Sequence, residues 1–344
     1  MKAAYLSDIR TVEIRDEPAP SLTAPGEVLL GVEAVGVCGS DMHYYRTGRI
    51  GDQVVKFPWL IGHEMGATVL ETAPDVTHLS AGQRVAVDPL IPCGQCDQCR
   101  SGRRHTCRNQ RFLGCPGQAP GCLAERIVMP ADCCFPVPDS VDALGAALVE
   151  PASVGVYARA LSAVPAGEPV AILGAGPIGL SVLRACQAAG LDTAYVTEIR
   201  EWRASLAADL GATWTGGPHR EDIVGAIRER EPDGVAAVFE CAGEQSTLDE
   251  ALAVVRPGGQ VLMVGIPAAD RVAFDASTLR REEITIRPVR RQNNCIPQAV
   301  ELVARDADLR KMVTHEYALS ATQQAFETVA DYRDGVVKAI IRMR

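Results

Sequence analysis

Apolar and β-branched positions in the first 150 residues cluster into short runs, Glu27 to Val35, Thr68 to Glu71, Gln83 to Val87 and Ala124 to Val128, separated by Pro and Gly turns. Runs of this length and composition read as strands, so the amino-terminal part is expected to be β-rich with long loops. From about Glu168 the periodicity changes. "PVAILGAG" is an apolar run of strand length, "PIGLSVLRACQAAG" is an amphipathic helix ending in glycine, "TAYVTEI" is a second strand and "EWRASLAADLGA" a second helix. Strand, helix, strand in that order predicts a parallel βαβ unit. "GVAAVFECAG" and "GGQVLMVGIP" read as later strands with the helix "STLDEALAVV" between them. The final segment reverts to irregular structure, with a helix at about Pro297 to Ala304 and a closing strand "VVKAIIRMR" able to return to the first domain. No internal repeat is present. The predicted organisation is residues 1–150, joined by 290–344, as one domain and 151–289 as the other.

A chain of 344 residues is long enough for two such domains. Its 47% hydrophobic and 22% charged content is that of a folded globular protein, not of a disordered one. Lys and Arg number 34 against 43 Asp and Glu, a net charge of -9, which argues against nucleic acid as the main partner. Arg100, Arg103, Arg104, Arg108 and Arg111 still make one loop locally basic. No uninterrupted apolar stretch of about 20 residues and no signal-peptide core is found, so no membrane association and a cytoplasmic location are expected. In a reducing compartment the twelve cysteines read as metal ligands or buried thiols in preference to disulfides.

"GAGPIG" places Gly174, Gly176 and Gly179, with Pro177 and Ile178 between the last two, after a strand and at the start of a helix. That is the setting of a dinucleotide site. The first glycine allows the tight turn, the second a close approach of backbone to pyrophosphate, and the third the packing of helix on strand. Glu198, at the end of the second strand, can accept from adenosine ribose hydroxyls and would repel a 2′-phosphate, which favours NAD over NADP. Arg200 and Arg203 lie nearby, with Arg203 a further cofactor candidate. "CGQCDQCRSGRRHTC" sets out Cys93, Cys96, Cys99 and Cys107, enough thiolates in one loop to close a tetrahedral structural zinc shell. An iron–sulfur cluster also takes four cysteines, but the other motifs favour zinc. Cys38, with His63 and Glu64 of "PWLIGHEMGATV" and Glu150 of "ALVEPASVG", makes a mixed S, N, O set able to hold a catalytic zinc with one position open. Asp41 either orients His43 or caps a helix. Cys115, Cys122, Cys133, Cys134, Cys186, Cys241 and Cys295 read as packing residues.

In order and spacing, Cys38, the Gly62–His63–Glu64 triplet, the four-cysteine loop, Glu150–Pro151 and "GAGPIG" resemble the zinc-dependent medium-chain alcohol dehydrogenases over essentially the whole chain, and "CGSDMHYYRTGRIG", "LIGHE" and "EPASVGVYA" resemble the sorbitol (polyol) dehydrogenase branch. The resemblance implies a GroES-like β-rich catalytic domain built from both chain ends, a Rossmann doubly wound parallel sheet between them, and an active site in the cleft. It implies catalytic zinc on Cys38, His63 and Glu64, with Glu150 as ligand or water-mediated partner, a proton relay from Ser40 through the nicotinamide ribose to His43, and Tyr44 lining a polyol pocket. "VRRQNNCIPQAV" is similar to the branch's substrate-facing segment, where Arg290 or Arg291 would contact the polyol; as a pair they can instead bind a carboxylate, or simply be solvated. The chain departs from the family where Gly66 comes one place early, with Ala67 in the usual glycine position, and at Glu71–Thr72–Ala73. The activity so implied is transfer of a hydride from a secondary hydroxyl of a polyol to NAD, giving a ketose. Alternatives are a sugar-acid (aldonate) or L-threonine dehydrogenase on the same scaffold, or a non-catalytic dinucleotide-binding protein. A homotetramer is implied, with a homodimer as the alternative; "GGQVLMVGIP" is as consistent with a buried strand as with an interface.

Overall fold

The strand Glu27–Gly36 is buried along nearly its whole length because it has a sheet neighbour on each side. Glu64–Thr72 pairs with it antiparallel on one side; Lys338–Arg342 and Arg126–Pro130 pair with it antiparallel on the other. The computed structural model describes residues 1–267 and 269–343 and divides into two units, Met1–Glu150 with Ile296–Arg344, and Pro151–Cys295. In the first unit this central strand anchors a seven-stranded sheet whose path runs Cys134–Pro136, Arg84–Val87, Glu64–Thr72, Glu27–Gly36, Lys338–Arg342, Val313–Ala318. The closing strand therefore brings carboxyl-terminal residues against the amino-terminal sheet, with Ile340 opposite Gly36. Its core joins Leu30, Val35, Tyr45, Ile61, Met65, Leu123 and Phe326.

Several elements escape the sequence reading. Lys2–Asp8 and Thr11–Asp16 form an antiparallel pair, Gly39–Thr47 is a helix immediately after Cys38, and Thr322–Ala330 is a helix in the segment read as irregular. Ala143–Ser162 is one continuous helix in spite of Pro151. Proline removes a donor and crowds the preceding turn, which is why the sequence does not announce a helix there. The early glycine at position 66 has a steric reason: a β-carbon there would collide with the Ala143 carbonyl oxygen. The departure from the family pattern follows the approach of the helix start to this strand.

The second unit is a six-stranded, all-parallel sheet in the order Trp214–Gly216, Ala194–Thr197, Val170–Leu173, Val235–Glu240, Val255–Met263, Thr285–Pro288. In sequence ranks this is 3-2-1-4-5-6, the doubly wound order of dinucleotide-binding sheets. The three innermost strands are buried throughout, as a sheet covered on both faces requires. Gly155 lets the long helix approach the backbone of Ser181 in the glycine-rich helix. Among the described residues no helix is long and apolar enough to cross a membrane.

Candidate active site

In the first unit, backbone geometry gathers residues that are far apart in sequence. Gly62 sits at φ 92, and a β-carbon there would press on Leu123 and Val35. Only glycine takes that turn without strain, and the turn delivers His63 and then Glu64 at the head of the strand Glu64–Thr72. Cys38 caps the helix Gly39–Thr47, so the "VCGSDMHYY" stretch is a helix start. The thiol of Cys38, a ring nitrogen of His63 and a carboxylate oxygen of Glu64 lie within 4.8 Å of one another. The Ser40 hydroxyl donates to Cys38 Sγ at 3.3 Å and lies 3.4 Å from His63 Nε2. Phe112 tilts against the His63 ring with centroids 5.4 Å apart.

Asp41 corrects one sequence expectation. Its Oδ2 accepts from the Cys38 backbone N–H at 3.1 Å, the capping role, but its Oδ1 faces His63 Nδ1 at 3.4 Å, not His43. Almost wholly buried, this carboxylate lies behind Nδ1 while Nε2 lies toward Ser40, the arrangement found where carboxylates back metal-binding histidines. Burial alone would lower the basicity of His63; the negative charges of Asp41 and Cys38 outweigh it and raise the ring's pKa. Half-buried His43 shifts the other way, lowered by burial and by the charge of Arg46.

Glu150 is buried but lies outside the three-residue group. Burial pushes its carboxyl up to about 7, opposed by His63 and Lys338 and reinforced by Glu64, so it shares one electrostatic environment with the cluster. Lys338, which the sequence reading did not single out, is buried and ion-paired with Glu64 Oε2. A lysine in the middle of the apolar run "VVKAII" was the available signal. Thiol, imidazole and carboxylate are all zinc ligands. Three such donors converge here, with the buried Glu150 carboxyl sharing their surroundings, and a dication fits the set. Tyr44 is buried with its hydroxyl donating to Gln53 Oε1 at 3.0 Å.

Cys93, Cys96, Cys99 and Cys107 form the second group of converging donors, with Cys96 Sγ 3.6 Å from Cys99 Sγ and 3.8 Å from Cys107 Sγ. The backbone N–H groups of Arg108 and Cys99 lower the Cys96 thiol to about 6, whereas burial and its thiol neighbours raise Cys99 to about 12. Four thiols this close cannot all ionise without a cation among them, and a tetrahedral dication fits that requirement. All twelve cysteines are free thiols.

In the second unit, Gly174 has φ 105, and a β-carbon on Gly179 would collide with the Gly174 carbonyl, so each glycine is sterically required. Pro177 opens the helix Pro177–Ala188 behind the cap residue Gly176, with Ile178 following. Glu198 accepts from the N–H of Ala175 and of Arg200, both at 3.0 Å, tying the glycine-rich turn to the end of the second strand. A β-carbon at Gly176 would lie 3.6 Å from Arg203 Nη1, so this buried guanidinium borders the loop. A carboxylate the sequence reading missed, Glu240, holds the next loop through Ala242 N–H, Gly243 N–H and the Thr247 hydroxyl. Arg290 is exposed; Arg291 is half-buried in the left-handed region at φ 52, beside buried Gln292, which accepts from Cys295 N–H.

Residues 24–139 match the alcohol dehydrogenase GroES-like domain and residues 177–305 the zinc-binding dehydrogenase domain. The chain is 36% identical to the sorbitol dehydrogenase of Bacillus subtilis (strain 168), across 99% of its own length and 97% of that protein's. It is 34% identical to the L-idonate 5-dehydrogenase of Vitis vinifera, across 95% and 91%. A zinc-binding dehydrogenase from Sinorhizobium meliloti 1021, solved bound to NADP, superposes with a TM-score of 0.91 at 29% identity, covering 99% of this chain and 98% of that one.

Proposed function

Because the chain belongs to the zinc-dependent medium-chain alcohol dehydrogenase family, we propose that Cys38, His63 and Glu64 hold its catalytic zinc, and that it oxidises a secondary hydroxyl of a polyol to a ketone with NAD as hydride acceptor. It is an oxidoreductase of polyols and related sugar alcohols. The convergence of those three donors within 4.8 Å carries this reading. Zinc, when bound, supplies a Lewis acid that makes an alcohol hydroxyl acidic enough to lose its proton near neutrality. Asp41 keeps His63 in the orientation that offers Nε2. In this reading the Ser40 hydroxyl, beside both Cys38 Sγ and His63 Nε2, takes the substrate proton and passes it through the nicotinamide ribose to His43, whose basicity burial and Arg46 lower. Glu150 is read as a water-mediated partner in this set, and Tyr44 as a wall of the substrate pocket. The four-thiol loop is read as a structural zinc site.

Gly174, Gly176, Pro177, Ile178 and Gly179 form the pyrophosphate cradle in this reading, Glu198 receives the ribose hydroxyls, and Arg203 supplies positive charge beside the phosphates. A carboxylate at Glu198 supports NAD over NADP. A sugar-acid substrate is the second reading, favoured by adjacent Arg290 and Arg291 and by the likeness to an L-idonate 5-dehydrogenase. The substrate is a small molecule; a homo-oligomer, tetramer or dimer, and a cytoplasmic location complete the proposal. Initial-rate NADH formation from NAD across polyols, aldonates and L-threonine, with zinc content measured on the same sample, tests it. Selective polyol turnover is expected. Turnover confined to acids would transfer the assignment to the second reading, and no turnover by a zinc-replete enzyme would overturn both.

A further inference from the structure

Lys338 is a charged side chain in the interior of the sheet that carries the proposed zinc ligands. It is 1% exposed, lies on the closing strand, donates to the Val37 carbonyl at 3.2 Å and is ion-paired with Glu64 Oε2. The strand between them is cut away to admit the pair. Gly36 lies opposite Glu64 in one register and opposite Ile340 in the other, and a β-carbon on it would collide with Glu64 Oε2 and come within 3.0 Å of Lys338 Cε. Three adjacent strands thus build a slot for one ion pair.

A carboxylate can grip a metal through one oxygen or both. We propose that Lys338 is a positioning residue which, by holding Glu64 Oε2, prevents Glu64 from chelating zinc through both oxygens and so preserves the coordination position a substrate needs. Its positive charge also opposes the metal's, so it keeps the site labile as well as open. Both effects have the same sign. Removing the ammonium frees a second carboxylate oxygen and removes a repulsion, so zinc should be held more tightly and used less well. A merely structural lysine predicts the reverse, faster zinc loss from a loosened sheet.

The inference rests on the zinc reading of this site, and its test is made without substrate so that the two can fail separately. Zinc release to 4-(2-pyridylazo)resorcinol is followed for the zinc-loaded wild type, Lys338→Met, Glu64→Gln and the double variant, with His63→Ala identifying the phase that belongs to this site. In Lys338→Met that phase should slow about tenfold, and kcat on the best alcohol should fall about tenfold with KM little changed. In the Glu64→Gln background Lys338→Met should slow the phase much less, since an amide cannot chelate as a carboxylate does and only the charge repulsion is left to remove. If Lys338→Met fails to fold, Lys338→Gln, which keeps a donor for the Val37 carbonyl, is read by the same criteria. An unchanged or faster phase, or slowing of the same size without the Glu64 carboxylate, overturns the proposal.

Discussion

Replacing Asp41 by asparagine isolates the charge behind His63. The substitution preserves volume in a site where the carboxylate is 1% exposed, and the amide oxygen can still accept from Cys38 N–H, so the helix start should lose no more than about 1 kcal/mol. On the other side, 3.4 Å from His63 Nδ1, the amide either offers an N–H that meets the ring N–H or a weaker, uncharged acceptor. Either way the charge that favours the tautomer with Nε2 free is lost. Losing a carboxylate behind a metal-binding histidine typically costs 10–100-fold in metal affinity or activity, roughly 1.4–2.7 kcal/mol. Asp41→Asn should therefore lower kcat/KM by about that factor and weaken zinc retention at this site, with thermal unfolding shifted little. Chelator-monitored zinc release and steady-state kinetics on one preparation check it. Wild-type kcat/KM and zinc retention in a folded Asp41→Asn would refute the reasoning.

Cys96→Ser should release one zinc per chain and lower the melting temperature by about 5 °C while leaving the Cys38 site loaded; metal analysis and calorimetry decide it. Glu198→Ala should cut kcat/KM for NAD about tenfold while leaving NADP nearly unchanged, because the ribose acceptor and the tie between Ala175 and Arg200 go together; unchanged discrimination would place cofactor choice elsewhere. With its pKa lowered by burial and Arg46, His43 stays neutral below the usual histidine range, so the acid limb of kcat should lie below pH ~6.5. The same shift makes the fold lose stability as pH falls below about 6.5 and through the lowered value. His43→Ala should lower kcat about tenfold or more, and an unaltered pH profile would remove it from the relay.

What was legible in the sequence is what periodicity and ligand chemistry encode locally. The Val170 strand, its glycine turn and the helix behind it are visible because burial on both faces forces continuous apolar runs and the turn forces glycine. The four-cysteine loop is visible because one short segment contains the whole set. Less legible were features defined by a distant neighbour. Asp41 looked like a helix cap or a partner for the nearby His43, and only the fold brings His63, 22 positions on, to its other oxygen. The helix Ala143–Ser162 was hidden by Pro151. Gly36 reads as an ordinary strand glycine until the strands on each side supply the carboxylate and ammonium that occupy its missing side chain.

The two donor sets are built on opposite electrostatic principles, and this bears on how one chain would keep a metal inert at one proposed site and reactive at the other. Around Cys96 the compensation is local: backbone N–H groups of Cys99 and Arg108 aim at sulfur, and the four thiols fill every tetrahedral position. A metal bound there would have no position left for a substrate, which suits the bracing role proposed for the loop. Around Cys38 the compensation comes from afar, with His63 and Glu64 after one turn, Asp41 behind the ring, Glu150 from a helix and Lys338 from the last strand. A dication there meets three donors and a surrounding charge set by carboxylates and one lysine. In the proposed reading, its reactivity would then depend on residues from several strands of the sheet. On that reading, substitutions away from the donors, at Gly36 or Lys338, should reach the chemistry through Glu64, whereas comparable changes around the thiol loop should reach only stability.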